Sequence, residues 1–217
     1  MQPFVFIGCV ELREALDFRA DDERELLERI EEIPAGSVFY HTHGYFLRHR
    51  PVTTAYGNDF AAWVATHVRD QVLAERLAVV NPFEFRTLED LREELVSIIS
   101  DHVLHLSTVP RVEFGEPFFF QQSHIVEVEL TVPATTLAEF RAGLAEVDSS
   151  AIYYHMVEAR ARLGRRSGDF AEWTRSSLGL PDLAERIERI DTYMTSLERV
   201  RARVLSLVDA ALESGSA

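Results

Sequence analysis

The stretch Phe39-Tyr40-His41 is repeated later in the chain as Tyr153-Tyr154-His155. The block Asp59-Phe60-Ala61-Ala62-Trp63 likewise returns as Asp169-Phe170-Ala171-Glu172-Trp173. Two further matches keep the same order, Pro3–Phe6 with Pro117–Phe120 and Ala74–Leu77 with Ala184–Ile187. Such a pattern indicates one structural unit that occurs twice, so we predict a tandem duplication with pseudo-twofold symmetry. The first repeat is 1–106, the connection is 107–116, and a second, degenerate repeat is 117–217.

Each repeat is predicted to open with a strand and to continue with helices. Val126, Val128 and Leu130 alternate with polar residues, which is the period of a half-buried strand. Capping boxes, Asp22 with Glu25 and Thr136 with Glu139, then mark the start of an amphipathic helix. The further predicted helices are Val38–Leu47 with Ala151–Leu163, Asp59–His67 with Asp169–Ser176, Leu73–Val79 with Leu183–Ile190, and a last helix capped by Thr87 or Ser196.

These elements predict an α+β, mainly helical fold with a small β-sheet shared by the two repeats. Each repeat supplies too few strands for a sheet of its own, and an isolated two-stranded hairpin is only marginally stable. We therefore expect one integrated globule rather than two independent domains.

Composition excludes several classes of function. The net charge of −14 disfavours nucleic acids and anionic membranes as partners. The chain contains no lysine, which rules out Schiff-base chemistry and a complete phosphate-binding P-loop. The single cysteine, Cys9, allows no internal disulfide, and the chain starts without the features of a signal peptide, so we expect a cytoplasmic protein.

The motif His41-Thr42-His43 leaves two interpretations open. On a strand, both imidazoles would share a face and could bind a metal, which would suit a metal-assisted hydrolase using His41, His43 and Asp59. On a helix, residues two apart point in nearly opposite directions. Because a helix is predicted here, we favour buried histidines, His41 and His155, hydrogen-bonded to Asp59 and Asp169. We interpret those two aspartates as helix caps, and the neighbouring aromatic residues as core: Phe60, Trp63, Phe170 and Trp173.

Arginine-bearing segments follow the Tyr-His element in both repeats. The predicted binding residues are Arg48, His49 and Arg50 in the first repeat and Arg162, Arg165 and Arg166 in the second. Guanidinium groups suit carboxylates and phosphates, so these segments could hold an acidic partner segment or a small anionic ligand. Alternatively, the arginines neutralise glutamates of the protein itself.

Two histidines near the end of a predicted helix, His102 and His105, could bind a metal if a third ligand were nearby. Such residues more often interact with a helix C-terminus, and the second repeat has no matching pair. We therefore predict no metal site and no cofactor.

The strings Phe39-Tyr40-His41-Thr42-His43, Asn58-Asp59-Phe60-Ala61-Ala62-Trp63 and Leu73-Ala74-Glu75-Arg76-Leu77 resemble an uncharacterised prokaryotic family, a domain of unknown function marked by YHTH and NDFA-W motifs. The resemblance runs through most of the chain and implies no activity. We accordingly expect a non-enzymatic binding or regulatory module, with the hydrolase as the alternative. The sequence leaves the oligomeric state open.

Overall fold

A computed structural model describes residues 2–45, 56–109, 111–112, 115–130, 133–160, 167–193 and 195–215. This part of the chain is mainly helical and contains a two-stranded antiparallel sheet, which confirms the predicted fold class. The strands are β1 (Ile7–Ala20) and β2 (Phe118–Glu129). None of the described helices is long and apolar enough to cross a membrane.

The helices follow in the predicted order. Those between the strands are α1 (Glu23–Glu32), α2 (Ala35–His41), α3 (Asp59–Trp63), α4 (Gln71–Ala78) and α5 (Leu88–Leu104). Those after β2 are α6 (Leu137–Glu146), α7 (Ser149–Tyr153), α8 (Asp169–Ser176), α9 (Pro181–Glu188) and α10 (Leu197–Gly215). A π-helical turn follows α3 at Val64–Val68 and another follows α7 at Tyr154–Glu158.

The chain divides into two compact units. The continuous unit is Leu12–His124, and the discontinuous unit combines Met1–Glu11 with Ile125–Ala217. The boundaries fall inside both strands, so the units differ from the predicted repeats 1–106 and 117–217. The duplication and its pseudo-twofold symmetry stay predictions from the sequence.

Each unit has its own apolar core. In the continuous unit, fully buried side chains from α1, α3, α4 and α5 meet Phe118 and Phe120 of β2. In the discontinuous unit, Phe4 and Phe6 from the start of the chain pack with Phe140, Phe170 and the buried valines of α10. Full burial of such side chains supplies roughly 1.5–3 kcal/mol each to the free energy of folding.

The predicted caps explain where the helices begin. The side chain of Asp22 accepts a hydrogen bond from the backbone N–H of Glu25, at 2.9 Å. At Thr136 and Glu139 both hydrogen bonds of a capping box are present. Thr87 and Ser196 cap α5 and α10 as expected. These side chains accept hydrogen bonds from N–H groups that the first turn of a helix leaves unpaired.

Three local predictions are wrong. The stretch 126–130 is exposed on both faces, with Val126, Val128 and Leu130 at 45%, 42% and 38%, so it is not half-buried. The first Tyr-His helix ends at His41, because the backbone at Thr42 leaves helical geometry, with φ −113° and ψ −79°, and a turn begins there. Helices α3 and α8 are capped by Asn58 and Gly168 rather than by the aspartates that follow them.

Candidate functional site

The histidines of the two Tyr-His elements make matching hydrogen bonds. In the continuous unit, Nδ1 of His41 lies 2.9 Å from Oδ2 of Asp59, and the backbone N–H of Gln121 donates to Nε2 at 3.0 Å. In the discontinuous unit, Nδ1 of His155 lies 2.9 Å from Oδ2 of Asp169, and the backbone N–H of Ile7 donates to Nε2 at 2.9 Å.

These bonds use both nitrogens of each ring. Because a backbone N–H donates to Nε2, that nitrogen carries no proton, and Nδ1 carries the proton that it donates to the aspartate. Both histidines are almost fully buried, at 3% and 2% exposed. The pairing with Asp59 and Asp169 is therefore as predicted. The bonds at Nε2 tie each histidine to a strand, through Gln121 of β2 in one unit and Ile7 of β1 in the other.

His43 sits in a different environment from His41. Its ring stacks on Phe39, with 4.8 Å between ring centroids, and meets the edge of Phe83 at 5.1 Å. Its Nδ1 lies 3.2 Å from the hydroxyl oxygen of Thr42. Burial lowers the pKa of His43 from 6.5 to about 3, while a hydrogen bond to the backbone of Pro82 opposes the shift. The imidazole is therefore neutral at physiological pH.

The predicted binding residues Arg48, His49, Arg50, Arg162, Arg165 and Arg166 lie outside the described residues. The neighbouring Arg160 is described. Its guanidinium is 3.5 Å from the carbonyl of Glu188, and burial lowers its pKa while the carboxylates of Glu188 and Asp191 oppose that shift. Arg160, which precedes the predicted binding residues of the second repeat, thus lies near acidic residues of its own unit.

A cluster of three metal-ligating side chains lies in the continuous unit. Glu23 is the first residue of α1, Asp70 precedes α4, and His102 lies in the last turn of α5. Nε2 of His102 is 3.0 Å from Oδ2 of Asp70 and 3.9 Å from Oε2 of Glu23. One ligand atom from each residue lies within 4.8 Å of the other two. The other oxygen of Asp70 accepts the backbone N–H of Leu73, so its carboxylate is fixed by the helix that it caps.

Glu23 is the unusual member of this cluster. It is 0% exposed, and neither of its carboxylate oxygens has a hydrogen-bond partner among the described residues. Burial, reinforced by the carboxylates of Asp70 and Asp22, raises the pKa of Glu23 from 4.5 to about 7. An unpaired carboxylate is costly to bury, so this position favours either a proton or a cation.

His105 takes no part in the cluster. Its side chain is 77% exposed, and its Nδ1 lies 2.6 Å from the carbonyl oxygen of Asp101. His105 thus contacts a carbonyl at the helix C-terminus, which is the interpretation favoured from the sequence, and of the two histidines His102 is the one beside carboxylates. The carboxylates come from α1 and from the residue before α4, which are distant in sequence.

Sequence reasoning also missed a matched pair of arginines. Arg92 donates from Nη1 to the carbonyls of Ile30, at 2.5 Å, and Ile33, at 2.7 Å, which are left unpaired at the end of α1. Arg201 takes the same position in the discontinuous unit, but its bonds to Leu144 and Ala145 are longer, at 3.3 and 3.4 Å. Each arginine lies five residues after a threonine or serine cap, at the same position of its helix. That shared spacing is the sequence signal that could have predicted their common role.

Cys9 is a buried thiol in the discontinuous unit. The residue is buried, its sulfur lies 3.7 Å from the carbonyl of Ser150, and burial together with nearby carboxylates raises its pKa to about 12. The thiolate, which is the nucleophilic form, is therefore almost absent at neutral pH.

Comparison with known proteins places the chain in a family. A family model described as a family of unknown function, DUF5752, matches residues 1–209. The chain belongs to this family. The DUF5752 chain is also similar in structure to OrfY from Thermoproteus tenax, with a TM-score of 0.81 and 30% sequence identity over 97% of this chain and 95% of that chain. No curated protein gives a significant match. The predicted membership of an uncharacterised family is confirmed, and the comparisons supply no activity.

Proposed function

We propose that this DUF5752 protein is a non-enzymatic binding or regulatory module that recognises an acidic partner segment or a small anionic ligand. The recognising residues would be Arg48, His49 and Arg50 in one segment and Arg162, Arg165 and Arg166 in the other. The protein would act in the cytoplasm, with no nucleic acid or membrane among its partners.

The observation that carries this proposal is the matched use of His41 and His155. Both rings are buried and hydrogen-bonded through both nitrogens, so in each unit the motif supports packing. Arginine segments follow this element in both repeats, and they place strong anion-binding groups in a chain of net charge −14.

The same geometry weighs against the hydrolase alternative. A metal ion at His41 would have to break the hydrogen bond to Asp59 or the one from Gln121. His43 lies beyond the end of α2, with its ring stacked on Phe39. A metal held by His41, His43 and Asp59 therefore requires a rearrangement of the buried contacts.

Binding can be measured with a fluorescein-labelled glutamate-rich peptide and with inorganic phosphate. We expect Arg48→Gln/Arg50→Gln to weaken binding about tenfold or more, since each lost charge-assisted hydrogen bond costs roughly 1.5–3 kcal/mol. The matched control is Arg86→Gln/Arg199→Gln, which removes the same charge from two exposed positions elsewhere. No binding by the wild-type protein, or an equal loss in the control, would count against the proposal.

A further inference from the structure

The cluster of Glu23, Asp70 and His102 has the geometry of a metal site. Around an ion with ligands at about 2.1 Å, neighbouring ligand atoms are roughly 3.0–3.4 Å apart. The observed distances from Nε2 of His102, 3.0 Å to Asp70 and 3.9 Å to Glu23, bracket that range. Small side-chain movements would bring all three ligand atoms onto one ion.

The unpaired carboxylate of Glu23 is a second and independent observation. It is fully buried, it is directed at His102, and neither oxygen is satisfied within the described part of the chain. None of the described arginines forms an ion pair with Glu23 or with Asp70. Buried carboxylates are normally paired or coordinate metals, so a cation is the missing partner that this geometry suits.

The discontinuous unit shows that the fold does not require polar groups here. Aligning Asp22 with Thr136, Ala74 with Ala184 and Thr87 with Ser196 in sequence gives the matching positions. They are Leu137, Leu180 and Ala211, and all three pack against the apolar core of that unit. Capping of α4 accounts for Asp70, but it does not account for the buried carboxylate of Glu23 or for His102, whose counterparts are Leu137 and Ala211.

We propose that Glu23, Asp70 and His102 bind one divalent transition-metal ion in the continuous unit. Two carboxylate oxygens and one imidazole nitrogen are ligands that Zn²⁺ and Mn²⁺ accept, and the set leaves coordination positions for water or another ligand. This site is separate from the histidine motif, because it uses neither His41 nor His43, and it does not depend on the arginine segments.

The test is a titration of the full-length, EDTA-treated protein with Zn²⁺ and, separately, with Mn²⁺. Calorimetry should show one bound ion per chain. The melting temperature should rise by roughly 5–10 °C when free ion is about 100-fold above Kd. Electron spin-echo envelope modulation of bound Mn²⁺ should detect one coupled imidazole nitrogen, and that signal should disappear in His102→Ala.

Variants separate binding from folding. Glu23→Gln and Asp70→Asn keep the shape of each side chain, and an asparagine still caps α4, so each should fold and weaken binding about tenfold or more. His105→Ala removes a histidine from the same helix end and should leave Kd within about twofold. If Glu23→Gln or Asp70→Asn fails to fold, Glu23→Leu replaces it in the binding test, because leucine is the residue at the matching position of the second unit, Leu137. The proposal is overturned if neither ion binds saturably, or if folded Glu23→Gln or Glu23→Leu binds as tightly as wild type.

Discussion

The acid sensitivity of the protein should depend on His43. We consider His43→Val, because Val157 takes this position in the second repeat and is likewise buried. In the wild-type protein the folded-state pKa of His43 is about 3, whereas an unfolded histidine titrates near 6.5. Below pH 6.5, His43 is therefore protonated in the unfolded chain and stays neutral in the folded chain, so the free energy of unfolding falls as the pH falls.

The size of the effect follows from these two values. Each unit of difference in pKa is worth about 1.36 kcal/mol, so the full acid penalty approaches roughly 5 kcal/mol near pH 3. Between pH 7 and pH 5, His43 alone should lower the free energy of unfolding by about 2 kcal/mol. At pH 7 both states are largely neutral, and the substitution should show only its direct cost, about 1–2 kcal/mol for the lost stacking and hydrogen bonds.

Urea denaturation in EDTA buffer at pH 7 and pH 5 measures this difference. The other titrating groups are common to both proteins, so the loss of stability on acidification should be about 2 kcal/mol smaller in His43→Val. His105→Val is the matched control, because His105 is largely exposed, and it should keep the wild-type pH dependence. Equal pH dependence in His43→Val and wild type would refute the reasoning, because it would mean that the folded protein accepts the proton.

Two further predictions concern packing and helix ends. Gly143→Ala should destabilise the protein by about 1–3 kcal/mol, because the new Cβ would lie 2.5 Å from the ring of the fully buried Phe6. Urea denaturation measures this loss, and an unchanged midpoint of the unfolding transition would contradict the prediction. Arg92→Met should lower the free energy of unfolding by about 2–4 kcal/mol and Arg201→Met by about 1 kcal/mol, because the hydrogen bonds of Arg92 are shorter and more buried. A larger loss in Arg201→Met would show that the length of these hydrogen bonds does not determine their contribution.

The helices could be predicted because local chemistry determines them. Asp22, Thr87, Thr136 and Ser196 are caps that satisfy backbone groups within three residues, so their effect is visible in sequence. The end of α2 was missed because the turn begins at Thr42, a residue that a helical pattern would also accept. The exposure of Val126 and Val128 was missed because alternation shows the period of a strand but does not show whether anything covers it.

The candidate sites divide in the same way. The pairs His41–Asp59 and His155–Asp169 could be predicted because two repeats offered the same partners twice. The cluster of Glu23, Asp70 and His102 could not be predicted in this way, because the second repeat has leucine at the position of Glu23. The three side chains also come from elements that are far apart in sequence. A position that is charged in one repeat and apolar in the other is a signal that a comparison of repeats can supply.

The discontinuous unit has a consequence for the order in which the protein matures. On the ribosome, the first eleven residues emerge long before the helices that they pack against, which lie between Ile125 and the end of the chain. At ordinary rates of translation, synthesis of the whole discontinuous unit is complete roughly 10–40 s after its first eleven residues. The continuous unit, by contrast, is encoded in one stretch and can close as soon as His124 is free. The apolar cluster around Phe4 and Phe6 is therefore incomplete until α10 has been synthesised, and apolar surface that stays exposed during synthesis favours aggregation of the nascent chain.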